Sequence, residues 1–138
     1  MQLPHSRTEI QVRFSDLDIL GHVSNSYYAQ YFDLARVTFF RNISNISGRP
    51  NPSHVVASVK MDILREICFD HSVVVDTWCS KKGTKSMTIE HVIYANGEKA
   101  TSCQTVLVGF DRETRSSTAL PSDWEASDIS DVTAPAHY

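Results

Sequence analysis

The sequence predicts an α+β domain in which an antiparallel sheet wraps around one long central helix. Residues 26–41 (SYYAQYFDLARVTFFR) are apolar on nearly every side of a helix, which marks a buried one. Four runs rich in β-branched residues follow in series, and one alternating run precedes the helix. A β-α-β-β-β-β order around a helix of that kind leaves room for one sheet curled about it.

The first strand is expected at residues 10–14 (IQVRF), where apolar and polar residues alternate. DLDILG breaks that pattern at residue 16. The helix then carries apolar residues at 28, 32, 35 and 39, with Tyr27, Tyr31, Leu34, Val37 and Phe40 widening the face. About 16 residues of helix would run about 24 Å through the domain. Residues 42–53, with two prolines and a glycine, read as a loop. Strands are expected at 55–64, 72–80, 86–94 and 100–110, with KKGTK and ANGEK as hairpin signals between them. The domain is thus expected over residues 1–121, followed by a polar tail, 122–138, loosely ordered or with a short helix near Trp124. Such a sheet leaves an exposed edge, so at least a homodimer is expected.

Composition narrows the function. At 138 residues with 41% apolar and 21% charged residues, the chain is an ordinary globular domain with no room for a separate cofactor-binding unit. A net charge of −3 gives no reason to expect nucleic acid as a partner. No apolar run approaches the roughly 18 residues of a membrane span, and MQLPHSRTEI has no export-type apolar core, so a cytoplasmic location is expected. Cys68, Cys79 and Cys103 form no CxxC pair and read as small buried apolar residues.

The chemistry gathers in DLDILGHVSNSYY, residues 16–28. Ser24, Asn25 and Ser26 are good helix-capping residues, and the first turn of the helix offers free backbone N–H groups. Those groups, at the positive end of the helix dipole, can polarise a carbonyl or hold an oxyanion. Gly21 permits a tight turn or close approach of a ligand, and Asp16 or Asp18 would lie beside that carbonyl site. A carboxylate next to an oxyanion site is the minimum for hydrolysing an activated ester.

VRFSDLDILGHVSNSYYAQYFDLARVTFF resembles the opening of hotdog-fold acyl-CoA thioesterases of the 4-hydroxybenzoyl-CoA thioesterase-like group, V-R-[FY]-x-D-x-D-x-x-G-H-V-N-N-x-x-Y. The likeness continues through VVASVKMDILREICFDHSVVV, KKGTKS and VLVGFDRETRSSTALP, covering residues 9–121. It implies the hotdog fold and hydrolysis of a CoA thioester to a free acid and CoA; a carboxylate and a helix N-terminus supply base or nucleophile and oxyanion site by themselves, so no metal or organic cofactor is expected. By the same resemblance Asp18 is the catalytic nucleophile or general base, and the backbone N–H near Asn25 polarises the thioester carbonyl. Gly21 shapes that site, and His22 beside it suits a positioning or packing role. Tyr28 is a candidate for the acyl pocket, and Lys82, Gly83, Thr84, Lys85 and Ser86 match the region that contacts the pantetheine or phosphate end of CoA. Ser24, Glu66 and Asp70-His71 depart from the family pattern, which bears on substrate choice.

Rival readings are a non-catalytic acyl-CoA-binding protein and a hotdog hydratase or dehydratase. The hydratase pattern Asp-x-Asn-Pro-x-His is missing, since Asp18 to His22 is one residue too short and lacks Asn-Pro. Asp16, Asp18 and His22 offer metal-ligand atoms, but Asp-x-Asp-x-x-x-His is not a standard ligand spacing. The expected partners are an acyl- or aryl-CoA substrate and a second copy of the chain, as a dimer or a dimer of dimers.

Overall fold

The computed structural model describes residues 1–135. Strand β1 (Ser6–Ile10) leads through a 3-10 turn (Phe14–Asp16) to helix α1 (Asn25–Ser47). Strands β2 (His54–Ile63), β3 (Val73–Lys82), β4 (Ser86–Ala95) and β5 (Glu98–Asp111) follow, with the short β6 (Ser116–Ser117) after them. They form one antiparallel sheet in the order β1-β3-β4-β5-β2, with β6 beside the end of β5.

Alternation builds the core. Along β4, Met87, Ile89, His91, Ile93 and Ala95 are all buried, and Cys103, Thr105 and Leu107 continue the same surface on β5. The helix lays Tyr28, Phe32, Ala35, Phe39 and Ile43 on it, the spacing of one helical face. One cluster, including Val23, Tyr28, Phe32, Ile67, Val73 and Ile93, fills the end nearest the start of the helix. The other, including Phe39, Ile43, Met87, Leu107, Leu120 and Trp124, fills the far end.

Four expectations need correction. Strand β1 lies over Ser6–Ile10 rather than residues 10–14, because Ser6 and Thr8 are the residues that face the core. Val12 is buried too, but outside the ladder. The helix does not stop at residue 41; Ile43 carries its apolar face one turn further, and it ends where Gly48 adopts a left-handed φ of 68°. Nor is the helix buried on all sides, for Leu34 and Val37 are 50% and 52% exposed. Among the described residues the tail forms no helix at Trp124; that side chain is buried, and the backbone pairs with the N-terminal segment, while residues 136–138 of the expected tail lie outside the described residues. Leu3 N–H donates to the Glu125 carbonyl at 3.0 Å, Glu125 N–H to the Met1 carbonyl at 2.9 Å, and Ser127 Oγ to the Pro4 carbonyl at 3.0 Å.

Strand β2 is different from the rest. It lies at one edge of the sheet, opposite β1, with residues exposed on both faces, among them Val55, Val56, Val59 and Ile63.

His91 sits fully inside this core. It stacks at 5.1 Å from Phe32 and shares a 2.9 Å hydrogen bond between Nδ1 and Thr77 Oγ1. Burial, aided by the charge of Arg36, holds its pKa down to about 3. The folded-state pKa lies below the unfolded value, so this group favours the fold fully above about pH 6.5. That contribution is lost as pH falls from there towards 3, at up to about 1.4 kcal/mol per pH unit. Denaturant titrations should therefore show declining stability between about pH 6.5 and 5, and His91→Gln should flatten the decline. An unchanged slope in the variant would assign it to another group.

Candidate active site

The segment between the 3-10 turn and α1 closes on itself. Leu17 and Val23 pair across it, and within that pair Asp18 N–H donates to the His22 carbonyl at 2.7 Å. Asp18 Oδ1 accepts the N–H groups of Leu20 at 2.9 Å and His22 at 3.1 Å, and Gly21 N–H returns to the Asp18 carbonyl at 3.1 Å. Gly21 makes the turn at φ 79°, where a side chain would be strained although the space beside it is open. One oxygen of an exposed carboxylate is thereby fixed, and Oδ2 has no donor among the described residues.

Asp16 lies two residues away in a different setting. Its side chain is fully buried, with Oδ2 taking the Tyr31 hydroxyl at 2.6 Å and the Arg13 N–H at 3.1 Å. Oδ1 takes Arg13 Nε at 3.1 Å. Burial alone would raise this carboxyl; the Tyr31 and Arg13 bonds outweigh it and hold the pKa below the usual range. Its backbone carbonyl accepts Ser24 N–H at 2.9 Å, which ties the buried carboxylate to the cap of α1. Ser24 caps α1 with no side-chain bond to the helix backbone, its Oγ lying 3.3 Å from Ser26 Oγ, and neither Asn25 nor Ser26 N–H has an acceptor among the described residues. Two donors at the positive end of a 23-residue helix are left pointing outward, just after the Asp18 loop.

A second segment borders this loop. Val23 N–H donates to the Ile67 carbonyl at 2.8 Å, and His22 and Cys68 form a bridge pair, so residues 66–68 run alongside 22–23. His22 Nε2 stands 3.6 Å from Glu66 Oε2, and the ligand atoms of His22, Glu66 and Cys68 all lie within 4.8 Å of one another. Cys68 is thus not the buried apolar residue expected; it is half-buried in this cluster, whereas Cys79 and Cys103 are buried. Burial first, and then Glu66 and Asp70, raise the Cys68 thiol. Tyr28 is 2% exposed, and burial together with the negative charge of Asp18, Cys68 and Glu66 raises its phenol.

The predicted residues do not all meet. Asp18, Gly21, His22, Asn25 and Tyr28 share the end of the domain where Ile10 pairs with Val73, the start of β3. Lys82 is at the other end of β3, and Gly83, Thr84, Lys85 and Ser86 turn there into β4. Nine residues of strand at about 3.3 Å each separate the two groups by about 30 Å. The hairpin is tightly built: Gly83 N–H donates to the Ser86 carbonyl at 2.8 Å, and Lys82 Nζ to the Gly83 carbonyl at 2.7 Å. A cleft of about 500 Å³ lined by Arg65, Glu66, His71, Ala95, Asn96 and Glu98 touches the second segment but not Asp18 or the helix start.

Comparison with known proteins agrees with this fold. The family profile described as the thioesterase-like superfamily matches residues 12–134. The chain belongs to the thioesterase-like superfamily. By family it is a thioester hydrolase with the hotdog fold, and the match takes in most of the segment expected as a loose tail. A thioesterase from Thermus thermophilus, solved with coenzyme A and zinc, is 36% identical, with 84% of this chain and 85% of that one covered and a TM-score of 0.73. A predicted thioesterase from Bacillus stearothermophilus superposes with a TM-score of 0.76 at 24% identity, covering 87% of this chain and 90% of that one. The uncharacterized protein YsmA of Bacillus subtilis (strain 168) is 29% identical over 107 residues, 76% of this chain and 72% of its own. No helix among the described residues is long and apolar enough to cross a membrane.

Proposed function

We propose that this superfamily member hydrolyses acyl- or aryl-CoA thioesters at the start of α1, without metal or organic cofactor. The observation that carries the proposal is the pairing of a fixed, exposed Asp18 carboxylate with the acceptor-free N–H groups of Asn25 and Ser26. The N–H groups polarise the thioester carbonyl and stabilise the oxyanion formed on attack. Asp18 Oδ2 supplies the nucleophile, or the base that takes a proton from attacking water. The thiolate of CoA then leaves. Gly21 makes the turn that presents Asp18, His22 positions it through its N–H, and Tyr28 floors the acyl side. The coenzyme A held by the Thermus thioesterase supports CoA as the carrier. The reading includes a cytoplasmic location, in keeping with three unpaired cysteines.

The same proposal includes a homodimer. One chain cannot bring Lys82–Ser86 to its own Asp18, so the hairpin that grips CoA comes from a second copy. The exposed β2 edge and the half-exposed Leu34 and Val37 are apolar surface for that contact. Lys82, Gly83, Thr84, Lys85 and Ser86 then meet the pantetheine or phosphate end of the substrate.

A panel of acyl- and aryl-CoAs assayed with a chelator present should give hydrolysis; tight binding with no turnover would instead mark an acyl-CoA-binding protein. The shared site is tested by mixing two inactive chains, Asp18→Asn and Lys82→Glu/Lys85→Glu, through unfolding and refolding together. Half the dimers would be mixed, and each would hold one intact site. About a quarter of wild-type activity should return. No recovery, with mixed dimers demonstrated, would place the whole site within one chain.

A further inference from the structure

We propose that the side chains of His22, Glu66 and Cys68 form a binding site for a soft divalent cation of the zinc class, a site that borders the Asp18 loop and shares with it only His22, whose backbone N–H holds Asp18. The backbone sets up the cluster. His22 and Cys68 are bridge partners on adjacent antiparallel segments, and Glu66, two residues before Cys68, shares its side of an extended chain. Imidazole, carboxylate and thiol therefore project together from two segments that the sequence keeps more than forty residues apart.

The distances suit a metal. A tetrahedral ion with Zn–N and Zn–O near 2.0 Å and Zn–S near 2.3 Å sets its ligand atoms about 3.3–3.6 Å apart. The His22 to Glu66 distance is already 3.6 Å, and all three ligand atoms lie within 4.8 Å of one another. Closing the remainder takes about 1 Å of side-chain movement, and the exposed Glu66 has the freedom to supply it.

The charges point the same way. The His22 ring is the basic side chain that meets Glu66 among the described residues, at 3.6 Å, while neighbouring Arg65 is paired at 2.6 Å with Glu98. Asp70 and Asp18 add negative charge around the thiol and Tyr28. A dication relieves that crowding, and the thiol gives up its proton as the sulfur binds the ion. Thiolate and imidazole together select zinc-class ions over magnesium or calcium. Three protein ligands leave a fourth position for water, and the ion would clasp the Asp18–His22 loop to residues 66–68.

The test uses the untagged full chain and Co²⁺ as a spectroscopic stand-in for zinc. One equivalent of Co²⁺ should bind with a sulfur-to-cobalt charge-transfer band, and Zn²⁺ should displace it. Cys68→Ser should abolish the band, and His22→Ala and Glu66→Gln should each weaken binding at least about tenfold. In the wild type, Zn²⁺ should also protect Cys68 from a thiol-alkylating reagent, read by mass spectrometry; this needs no variant to fold. A band that survives Cys68→Ser, equal affinity in all the variants, or Cys68 alkylated at the same rate with and without zinc would overturn the site. Both readouts are binding measurements, so a failed thioesterase assay leaves them interpretable.

Discussion

Asp18→Asn should lower kcat by at least about a hundredfold with KM little changed. The amide keeps the size of the carboxylate, and its oxygen can still accept the Leu20 and His22 N–H groups that hold the loop. What is lost is the second oxygen's negative charge, the one with no donor among the described residues. A group that attacks a carbonyl or takes a proton from water contributes mainly in the transition state, so its loss appears in kcat rather than in substrate binding. Each tenfold is about 1.4 kcal/mol, and a reacting carboxylate commonly supplies two or more such steps. The melting temperature should scarcely move, since Asp18 is exposed. Near wild-type kcat in this variant would remove Asp18 from the chemistry.

Asp16→Asn should do the reverse. The buried carboxylate accepts from Tyr31 and from the backbone and guanidinium nitrogens of Arg13, and an amide would turn an N–H towards donors. Leaving such groups unpaired costs about 2–4 kcal/mol, on the order of 10 °C in melting temperature. Catalysis in the folded fraction should stay within about tenfold. The pH dependence carries a sign. Asp16 has a folded pKa below its unfolded one, so its contribution is complete above about pH 3.8 and disappears as pH falls through the folded value. The stability gap between wild type and variant should therefore narrow below about pH 3.8. If Asp16→Asn abolishes kcat while Asp18→Asn leaves it intact, the roles of the two carboxylates must be exchanged.

The parts of the fold that follow local rules can be read from sequence, and those set by distant contacts cannot. Strands β2 to β5 lie within a few residues of their β-branched runs, and the hairpins fall at KKGTK and ANGEK. Strand β1 is harder to read because its core-facing positions include Ser6 and Thr8, polar residues that alternation places outside. The last turn of α1 hides behind Asn-Ile-Ser, where only the burial of Ile43 shows that the helical face continues. Trp124 lies in a polar sequence, and nothing local reveals that it is buried beside Phe40. The site divides in the same way. Asp18, Gly21 and Asn25 are neighbours in the chain, so one motif displays them. Cys68 and Glu66 reach His22 only through a bridge between separate segments, and the span of about 30 Å along β3 between Asp18 and Lys82 is invisible until the strands are ordered.

The pairing of the first residues with Glu125 and Ser127 also fixes an order of events. Ser127 and Pro4 are 123 positions apart. Closing a loop of that length in an unfolded chain costs on the order of 4 kcal/mol of entropy, more than a few hydrogen bonds at about 1 kcal/mol each return. The contact becomes favourable only after α1 and the sheet have drawn both segments to the same end of the molecule. In folding time it is a late latch: it closes on a domain already assembled, and the burial of Leu3 and Trp124 in the far-end core then holds it shut.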